Sequence, residues 1–219
     1  MCLCVETIWI ADGRLPLPEI LALHQERIGR TCRELYGLLA GYDLSAALAE
    51  MPVPPALRSG TVKCRVVYGP QGVGHVEYLP YTPPRIGSLL AVADDDADYP
   101  YKYNDRLRLT AWHGQAAAEG CGDALIIRHG KVTDTTFCNA AFRVAGSSPE
   151  VWHTPAEPLL RGTMREYLIK QGTIVPCEIP ATALYNGMYD CAALFNAMND
   201  FGSLLLPANR IIFRPPYFL

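Results

Sequence analysis

The sequence predicts a mixed α/β fold in two domains, and three observations support this. Short apolar or alternating runs, typical of strands, recur along the chain, and longer runs with helical spacing lie between them. A proline-rich linker at residues 80–85 divides the chain, because consecutive prolines resist regular structure. With 219 residues, 50% of them hydrophobic, the chain can bury a substantial core. We therefore expect a small α/β domain over residues 1–86 and a larger one over residues 87–219.

The first half begins with a strand that ends in a tight turn, because an alternating run is followed by Asp12-Gly13. Pro18 suits the first position of a helix, and Gly37 suits its end. Two further alternating runs flank a glycine-rich turn and are expected to pair. In chain order, the predicted elements are a strand over residues 6–14, helices over 18–37 and 43–50, and strands over 63–69 and 75–80.

The second half begins near Ser88. His129-Gly130 lies between two apolar runs, and such a two-residue connection is typical of a tight hairpin. Gly120 and Gly172 fit the ends of helices. In chain order, the predicted elements are strands over residues 89–93, 124–128, 131–135, 139–144 and 151–154, a helix over 105–119 and another that ends at residue 170.

Charge and composition favour small-molecule chemistry. The formal net charge of -3 and the absence of any run of lysine or arginine argue against nucleic acid or an anionic membrane as a partner. No apolar segment approaches the length that spans a bilayer. The N-terminus also lacks a basic region followed by an apolar one. We therefore expect a cytoplasmic protein.

The cysteines and histidines do not indicate a metal site. The eight cysteines are scattered through a chain too large to need disulfides, and no Cys-x-x-Cys pair occurs. Cys2 and Cys4 are close together, but no histidine accompanies them. The five histidines are equally dispersed. We expect reduced, mostly buried thiols and no structural metal.

One lysine, Lys102, lies among tyrosines just after an acidic run at residues 94–98. In isolation it fits an ordinary role, with its methylenes along aromatic rings and its ammonium in water near the carboxylates. A catalytic lysine is the alternative. The motifs elsewhere in the chain have to decide between the two.

Several short motifs follow one another in an informative order. They are Glu6-Thr-Ile-Trp-Ile-Ala-Asp-Gly13, His24-Gln-Glu-Arg27-Ile28, Lys102-Tyr-Asn-Asp-Arg106, Gly130-Lys-Val-Thr-Asp134 with Asn139, Thr154-Pro155, Leu159-Leu-Arg-Gly-Thr-Met-Arg165 and Asn196-Ala-Met198. This succession resembles the class IV aminotransferase family of pyridoxal-phosphate enzymes, and within it most of all the aminodeoxychorismate lyases. The resemblance runs from about residue 6 to residue 198 and depends on order and spacing, since each motif alone is short.

The resemblance implies the fold. Members have the two-lobed fold-type IV architecture of D-amino-acid aminotransferase, with the cofactor pyridoxal 5'-phosphate held between the lobes. They usually form a homodimer in which the neighbouring subunit helps to close each site. The family also usually carries strands before the motif at Glu6, so the chain looks N-terminally shortened.

The resemblance also assigns roles to residues. A lysine at the position of Lys102 forms a Schiff base with the cofactor, which would put the cofactor lysine in the larger domain. Arg27 corresponds to the arginine that binds the cofactor phosphate, and an exposed helix charge is the alternative. The family usually has a glutamate five residues before an asparagine to pair with the pyridine nitrogen. Here Asp134 precedes Asn139, and its side chain reaches about one methylene less far. A hydroxyl-rich turn is the alternative for Asp134.

Two further motifs correspond to the remaining phosphate anchors. Gly162 and Thr163 stand where the family opens a helix, so that backbone N–H groups, the helix dipole and the Thr163 hydroxyl can converge on an anion. Asn196 and Ala197 match the last loop, whose backbone amides complete the phosphate site. Without the resemblance, Gly162-Thr163 is an ordinary helix start.

Three functions follow from these roles. The first is a lyase of folate biosynthesis that converts 4-amino-4-deoxychorismate to 4-aminobenzoate and pyruvate, with Lys102 as the Schiff-base lysine. The second is a class IV aminotransferase acting on a branched-chain or D-amino acid. The third is a non-catalytic member of the family that has lost its activity. In the first two, the partner is a small-molecule amino substrate.

Overall fold

The structure, a computed structural model, describes residues 2–214. The outer limits of the two predicted domains, at the first and last residues, lie outside this range. The chain divides into two compact units. The first comprises the chain up to Pro83 together with Tyr101–Asp105, and the second comprises Pro84–Pro100 together with the chain from Arg106 onward.

The first unit contains an antiparallel sheet with strand order β1-β2-β3 and two helices that share its core. Its elements are β1 (Cys4–Ala11), α1 (Pro18–Tyr36), α2 (Leu44–Glu50), β2 (Thr61–Gly69) and β3 (Gly72–Pro80), with a 3-10 turn at Pro55–Leu57.

The alternation of β1 and β2 explains this core. Every second residue, including Ile8 in β1 and Val66 in β2, is fully buried in one cluster with Ile28 of α1. The helix limits follow the predicted signals. Pro18 is the first residue of α1, and Gly37 ends it in the left-handed conformation, with φ of 66°.

The segment Tyr101–Asp105 lies along the edge of β1. The Val5 N–H donates to the Lys102 carbonyl at 2.9 Å, and the Asn104 N–H donates to the Leu3 carbonyl at 2.8 Å. These bonds explain why Lys102 belongs to the first unit, whereas the domain division expected from the sequence put it in the larger domain. The next helix, predicted from residue 105, begins at Leu107.

The second unit contains two sheets. The elements are β4 (Leu89–Ala93), α3 (Leu107–Ala118), β5 (Asp123–Arg128), β6 (Lys131–Thr135), β7 (Asn139–Val144), β8 (Trp152–Pro155), α4 (Thr163–Lys170), β9 (Val175–Cys177), α5 (Thr182–Tyr185), β10 (Tyr189–Asn196), β11 (Asn199–Pro207) and β12 (Ile211–Ile212). One sheet has the order β12-β4-β5-β6 and the other β11-β10-β7-β8-β9.

The two sheets share one hydrophobic core. Leu125 of β5, Phe142 of β7 and Leu194 of β10 are all buried in it. The predicted hairpin between β5 and β6 is confirmed, since His129 and Gly130 both have positive φ, at 50° and 71°. The strands after α4 have no counterpart among the predicted elements. β9 and β12 are short, and the centre of β10 is a pair of alanines, so pairing sets these strands more than their own strand propensity does. β11 is longer and contains three consecutive leucines.

Two general expectations can be compared with the structure. All eight cysteines are free thiols, and most of them are buried. Among residues 2–214, no helix is both long enough and apolar enough to cross a membrane.

Two glycines, Gly41 in the first unit and Gly114 in the second, offer a matched test of close packing. A Cβ added to Gly41 would lie 2.8 Å from the Gly29 Cα in α1, so we expect G41A to lower the free energy of unfolding by about 1–3 kcal/mol. Gly114 lies in the middle of α3 with open space around it, so G114A should raise the free energy of unfolding by up to about 1 kcal/mol. Urea unfolding measures both, and a neutral G41A would contradict the close approach.

Candidate active site

A buried carboxylate joins β1 to α1. Glu6 and His24 have no solvent exposure, and Arg27, which follows His24 on the same helix face, is 6% exposed. Glu6 Oε2 lies 2.6 Å from His24 Nδ1. Arg27 donates from Nε to Glu6 Oε1 at 2.9 Å and from Nη2 to Glu6 Oε2 at 2.5 Å. Both carboxylate oxygens therefore bind the guanidinium fork, a strong and directional arrangement.

The protonation states in this cluster follow from burial and charge. Burial alone would raise the pKa of Glu6, but the Arg27 charge and the hydrogen bonds from His24 and Arg27 outweigh it and lower the pKa to about 2. Burial lowers the pKa of His24 more than Glu6 raises it. A neutral imidazole beside an ionised carboxylate must carry its proton on Nδ1, so His24 donates to Glu6. The cluster therefore holds one anion, one cation and one neutral ring.

Arg27 is thus a buried residue and not the exposed helix charge that was its alternative. Its Nε and Nη2 edge is bound to Glu6. A phosphate contact from Arg27 would have to use the other edge of the guanidinium.

Lys102 lies in the same unit as this cluster. Its side chain is partly buried, and its charge contributes to lowering the pKa of His24. Its carbonyl accepts from Val5, the residue before Glu6. The first unit therefore contains both Lys102 and Arg27, two of the predicted site residues.

A second buried carboxylate lies at the end of β6. Asp134 is 4% exposed, and each of its oxygens accepts a hydrogen bond: Oδ1 from Asn139 Nδ2 and Oδ2 from the Leu160 N–H, both at 2.8 Å. Asn139 Nδ2 also donates to the Leu160 carbonyl at 2.9 Å. Burial raises the pKa of Asp134 to about 6, although these hydrogen bonds and the Arg165 charge partly offset it.

The start of α4 packs tightly against Asn139. Gly162 precedes the helix, and a Cβ added there would lie 1.9 Å from Asn139 Oδ1, so only glycine fits. Thr163 is the first helical residue and is buried. Arg165, in the same turn, is 4% exposed and donates to the Pro155 carbonyl at 2.8 Å. The beginning of this helix therefore combines backbone N–H groups with a buried cation.

Asn196 orders the turn between β10 and β11. Its Oδ1 accepts from the Met198 N–H at 2.7 Å, and its Nδ2 donates to the Phe137 carbonyl at 2.9 Å. Ala197 lies within this turn and is partly buried. Because α4 packs against β10, the second unit brings Asp134, Asn139, Gly162, Thr163, Asn196 and Ala197 into one connected region.

Glu6 and the Leu160 amide are anchors that the residue patterns did not predict. A signal for Glu6 exists, because strand alternation puts it on the same face as Ile8 and Ile10. A carboxylate on an apolar face requires a cation from elsewhere in the chain. The Leu160 amide gives no such signal, since a backbone N–H is common to almost every residue.

Comparisons with known proteins match most of the chain. The model of the family described as amino-transferase class IV matches residues 3–198. An uncharacterized protein from Haemophilus influenzae strain Rd is 33% identical over 195 residues, which cover 89% of this chain and 96% of that protein.

Solved structures have the same fold. A protein from Haemophilus somnus 129pt, named provisionally as a 4-amino-4-deoxychorismate lyase, has a TM-score of 0.77 and 31% identity, over 91% of this chain and 98% of that one. The pyridoxal-phosphate-bound form of a hypothetical aminotransferase from Mycobacterium tuberculosis has a TM-score of 0.68 and 18% identity, over 97% of this chain and 84% of that one.

The predictions of family, fold class and cofactor are therefore confirmed. The chain belongs to the class IV aminotransferase family, whose members are pyridoxal-phosphate-dependent enzymes that act on small amino compounds.

Proposed function

We propose that the chain is a pyridoxal-phosphate-dependent lyase that converts 4-amino-4-deoxychorismate to 4-aminobenzoate and pyruvate. The observation that carries this proposal is the 31% identity with the Haemophilus somnus protein, over 91% of this chain and 98% of that one. Each unit supplies residues that fit it, since the first unit has a partly buried lysine and a paired buried arginine, and the second has a buried carboxylate.

The cofactor, when bound, supplies an aldehyde that condenses with amines and a ring that accepts electrons from the substrate. We propose Lys102 as the residue that holds the cofactor covalently through its amine. Once the substrate amine has displaced it from the cofactor, the same Lys102 amine would take a proton from the ring carbon that bears the substrate nitrogen. The bond between the substrate ring and the enolpyruvyl oxygen breaks, that group becomes pyruvate on protonation, and the ring that remains is aromatic.

Asp134 is the proposed partner of the cofactor's ring nitrogen. Each carboxylate oxygen accepts one hydrogen bond in the structure, and a carboxylate oxygen can accept another. Asn139 and the Leu160 amide fix the carboxylate from two sides, which compensates in part for the shorter side chain. These observations fit a carboxylate that binds a ring N–H, because its geometry is set before the ligand arrives.

The phosphate would be held by backbone and guanidinium donors. The first turn of any helix has N–H groups without intrahelical acceptors, and in α4 these begin at Gly162 and Thr163. Asn196 shapes the turn that contains Ala197, so that its backbone is fixed. Arg27 would add a charge through the edge not bound to Glu6. The buried Nε of Arg165, which lacks a hydrogen-bond partner, adds positive charge near the same helix start.

Two other functions remain as outcomes of the test. A class IV aminotransferase would use the same residues, and the family itself is named for that reaction. A non-catalytic member has less support, because the chain keeps Lys102, Arg27 and Gly162-Thr163 together. We further propose a cytoplasmic homodimer that acts in folate biosynthesis.

Covalent labelling tests the role of Lys102. The protein is purified with pyridoxal phosphate, reduced with borohydride and digested, and the cofactor-bearing peptide is identified by mass spectrometry. We expect one label, at Lys102, that K102A removes. K131A is the matched control, because Lys131 is an exposed lysine paired with Glu178, and it should leave the label unchanged. Label spread over surface lysines would contradict the proposed role.

Product analysis of the same preparation separates the three functions. Pyruvate and 4-aminobenzoate formed without any added keto acid support the lyase. Turnover only with a keto acid acceptor supports an aminotransferase. Label at Lys102 without turnover of either kind of substrate supports the non-catalytic alternative.

The Glu6 cluster predicts a pH-dependent loss of stability in E6Q. The pKa of Glu6 falls from an ordinary 4.5 to about 2 on folding, so ionised Glu6 stabilises the protein above about pH 4.5. This contribution is lost as the pH falls from 4.5 toward 2. We expect E6Q to lower the free energy of unfolding by about 3 kcal/mol at pH 7, with a smaller difference from wild type at pH 3.5.

Urea unfolding at the two pH values measures this effect. E150Q is the control, because Glu150 pairs with Arg143 at the surface and should change stability by less than about 1 kcal/mol. An E6Q protein as stable as wild type at pH 7 would exclude the buried ion pair.

The raised pKa of Asp134 predicts an acid limb in the pH profile, that is, a fall in kcat/KM at low pH. A ring contact requires the ionised carboxylate, whose pKa is raised to about 6, so kcat/KM should fall as the pH drops below about 6. We expect D134N to lower kcat/KM by about 100-fold or more and to remove this limb, and D134E to retain it. D190N, at an exposed residue paired with Arg143, is the control. A D134N enzyme with the wild-type rate and limb would exclude Asp134 from the site.

A further inference from the structure

Lys102 and Arg65 lie on the same face of the sheet in the first unit. Cys4 pairs with Tyr103, which sets Lys102 opposite Val5. Val5 and Thr7 share one face of β1, and Thr7 pairs with Arg65. The opposite face carries the helices, and Tyr103 packs there against the core. Lys102, Asn104 and Arg65 therefore project from the face that the helices leave uncovered.

Arg65 connects β3 to Tyr101–Asp105, the segment that contains Lys102 and is called the lysine segment below. Its Nη1 donates to Glu77 Oε2 at 2.7 Å, and its Nη2 donates to Asn104 Oδ1 at 2.9 Å. Arg65 and Glu77 are partly buried, with exposures of 31% and 34%. Because β2 lies between β1 and β3, one guanidinium reaches from Glu77 on the far strand to Asn104 at the opposite edge.

The lysine segment needs such a contact. Tyr101–Asp105 belongs to the first unit but lies in the sequence between two stretches of the second unit. It forms no helix and no full strand. Two backbone hydrogen bonds attach it to β1, at Val5 and Leu3. The bond from Arg65 attaches it to the centre of the sheet through a side chain. A planar fork with fixed donors can hold two acceptors at once, whereas an ammonium is a flexible point charge.

We propose that Arg65 is a positioning residue that fixes the direction in which Lys102 presents its amine. Glu77 orients the guanidinium, the guanidinium holds Asn104, and Asn104 fixes the peptide two residues after Lys102. This inference rests on the proposed function, in which Lys102 holds the cofactor. It assigns to Arg65, Glu77 and Asn104 a role in catalysis without contact with the substrate.

The test compares five single variants and one double variant of the cofactor-loaded enzyme. R65M removes the fork, and R65K keeps the charge but cannot bridge both acceptors. N104A removes the acceptor, and N104D keeps one. R143M is the matched control, because Arg143 in the second unit is 32% exposed and, like Arg65, donates to two side-chain acceptors, in its case Glu150 and Asp190. The measurements are kcat, KM, the borohydride label at Lys102, and hydrogen exchange of the peptide over residues 101–105.

We expect R65M, R65K and N104A each to lower kcat about 10- to 100-fold while changing KM less than about threefold. N104D should stay within about threefold of wild type. In R65M, the Asn104 amide should exchange at least about tenfold faster than in wild type. The double variant R65M/N104A should be no worse than R65M alone, since both remove one contact. R143M should change none of these values.

Two results would overturn the inference while leaving the proposed function intact. One is wild-type kcat in R65M together with a label at Lys102. The other is full recovery of kcat in R65K, which would show that charge suffices and that the fork is not needed. A wild-type enzyme without label at Lys102 would instead overturn the proposed function and, with it, the role of Arg65.

Discussion

The first unit depends on a charge that cannot be solvated. Glu6 has no exposed surface, and an isolated carboxylate at such a position would cost several kcal/mol. The folded chain meets this cost by bringing Arg27 and His24 from the helix onto both carboxylate oxygens. The pairing fixes how α1 rotates on β1, because only one face of the helix carries both partners. Lys102 adds its charge near the same cluster, where it contributes to lowering the pKa of His24.

The second unit also buries a carboxylate, and the groups that donate hydrogen bonds to it are neutral. Asp134 is buried among an amide side chain and a backbone N–H, and its pKa is raised. This environment leaves the carboxylate poised between its two protonation states near neutral pH. The close packing of Gly162 against Asn139 holds the arrangement together. Direct binding to Arg27 thus keeps Glu6 ionised down to about pH 2, whereas Asp134, which has hydrogen bonds and the more distant Arg165 charge, has a pKa raised to about 6.

Local patterns predict those parts of the structure that are set by local physics. The limits of α1 at Pro18 and Gly37 and the hairpin at His129-Gly130 follow from backbone preferences of those residue types. Motif order predicts the family, although each motif alone is short. The late strands, such as β10, could not be predicted, because their alanines acquire strand geometry from their neighbours. The Leu160 amide and the fork of Arg65 on Asn104 are long-range contacts that leave no local trace.

The path of the chain through the two units has a consequence for how such proteins can be recombined. Tyr101–Asp105 belongs to the first unit, yet it is continuous on both sides with the second. A single crossover near Pro83 between two diverged relatives would give a chimaera with β1 from one parent and its edge partner from the other. The backbone bonds to Val5 and Leu3 could survive such an exchange, since any residue provides them. The contact of Arg65 with Asn104 would survive such an exchange only if both parents have it. Residues 65 and 104 are therefore expected to be inherited together.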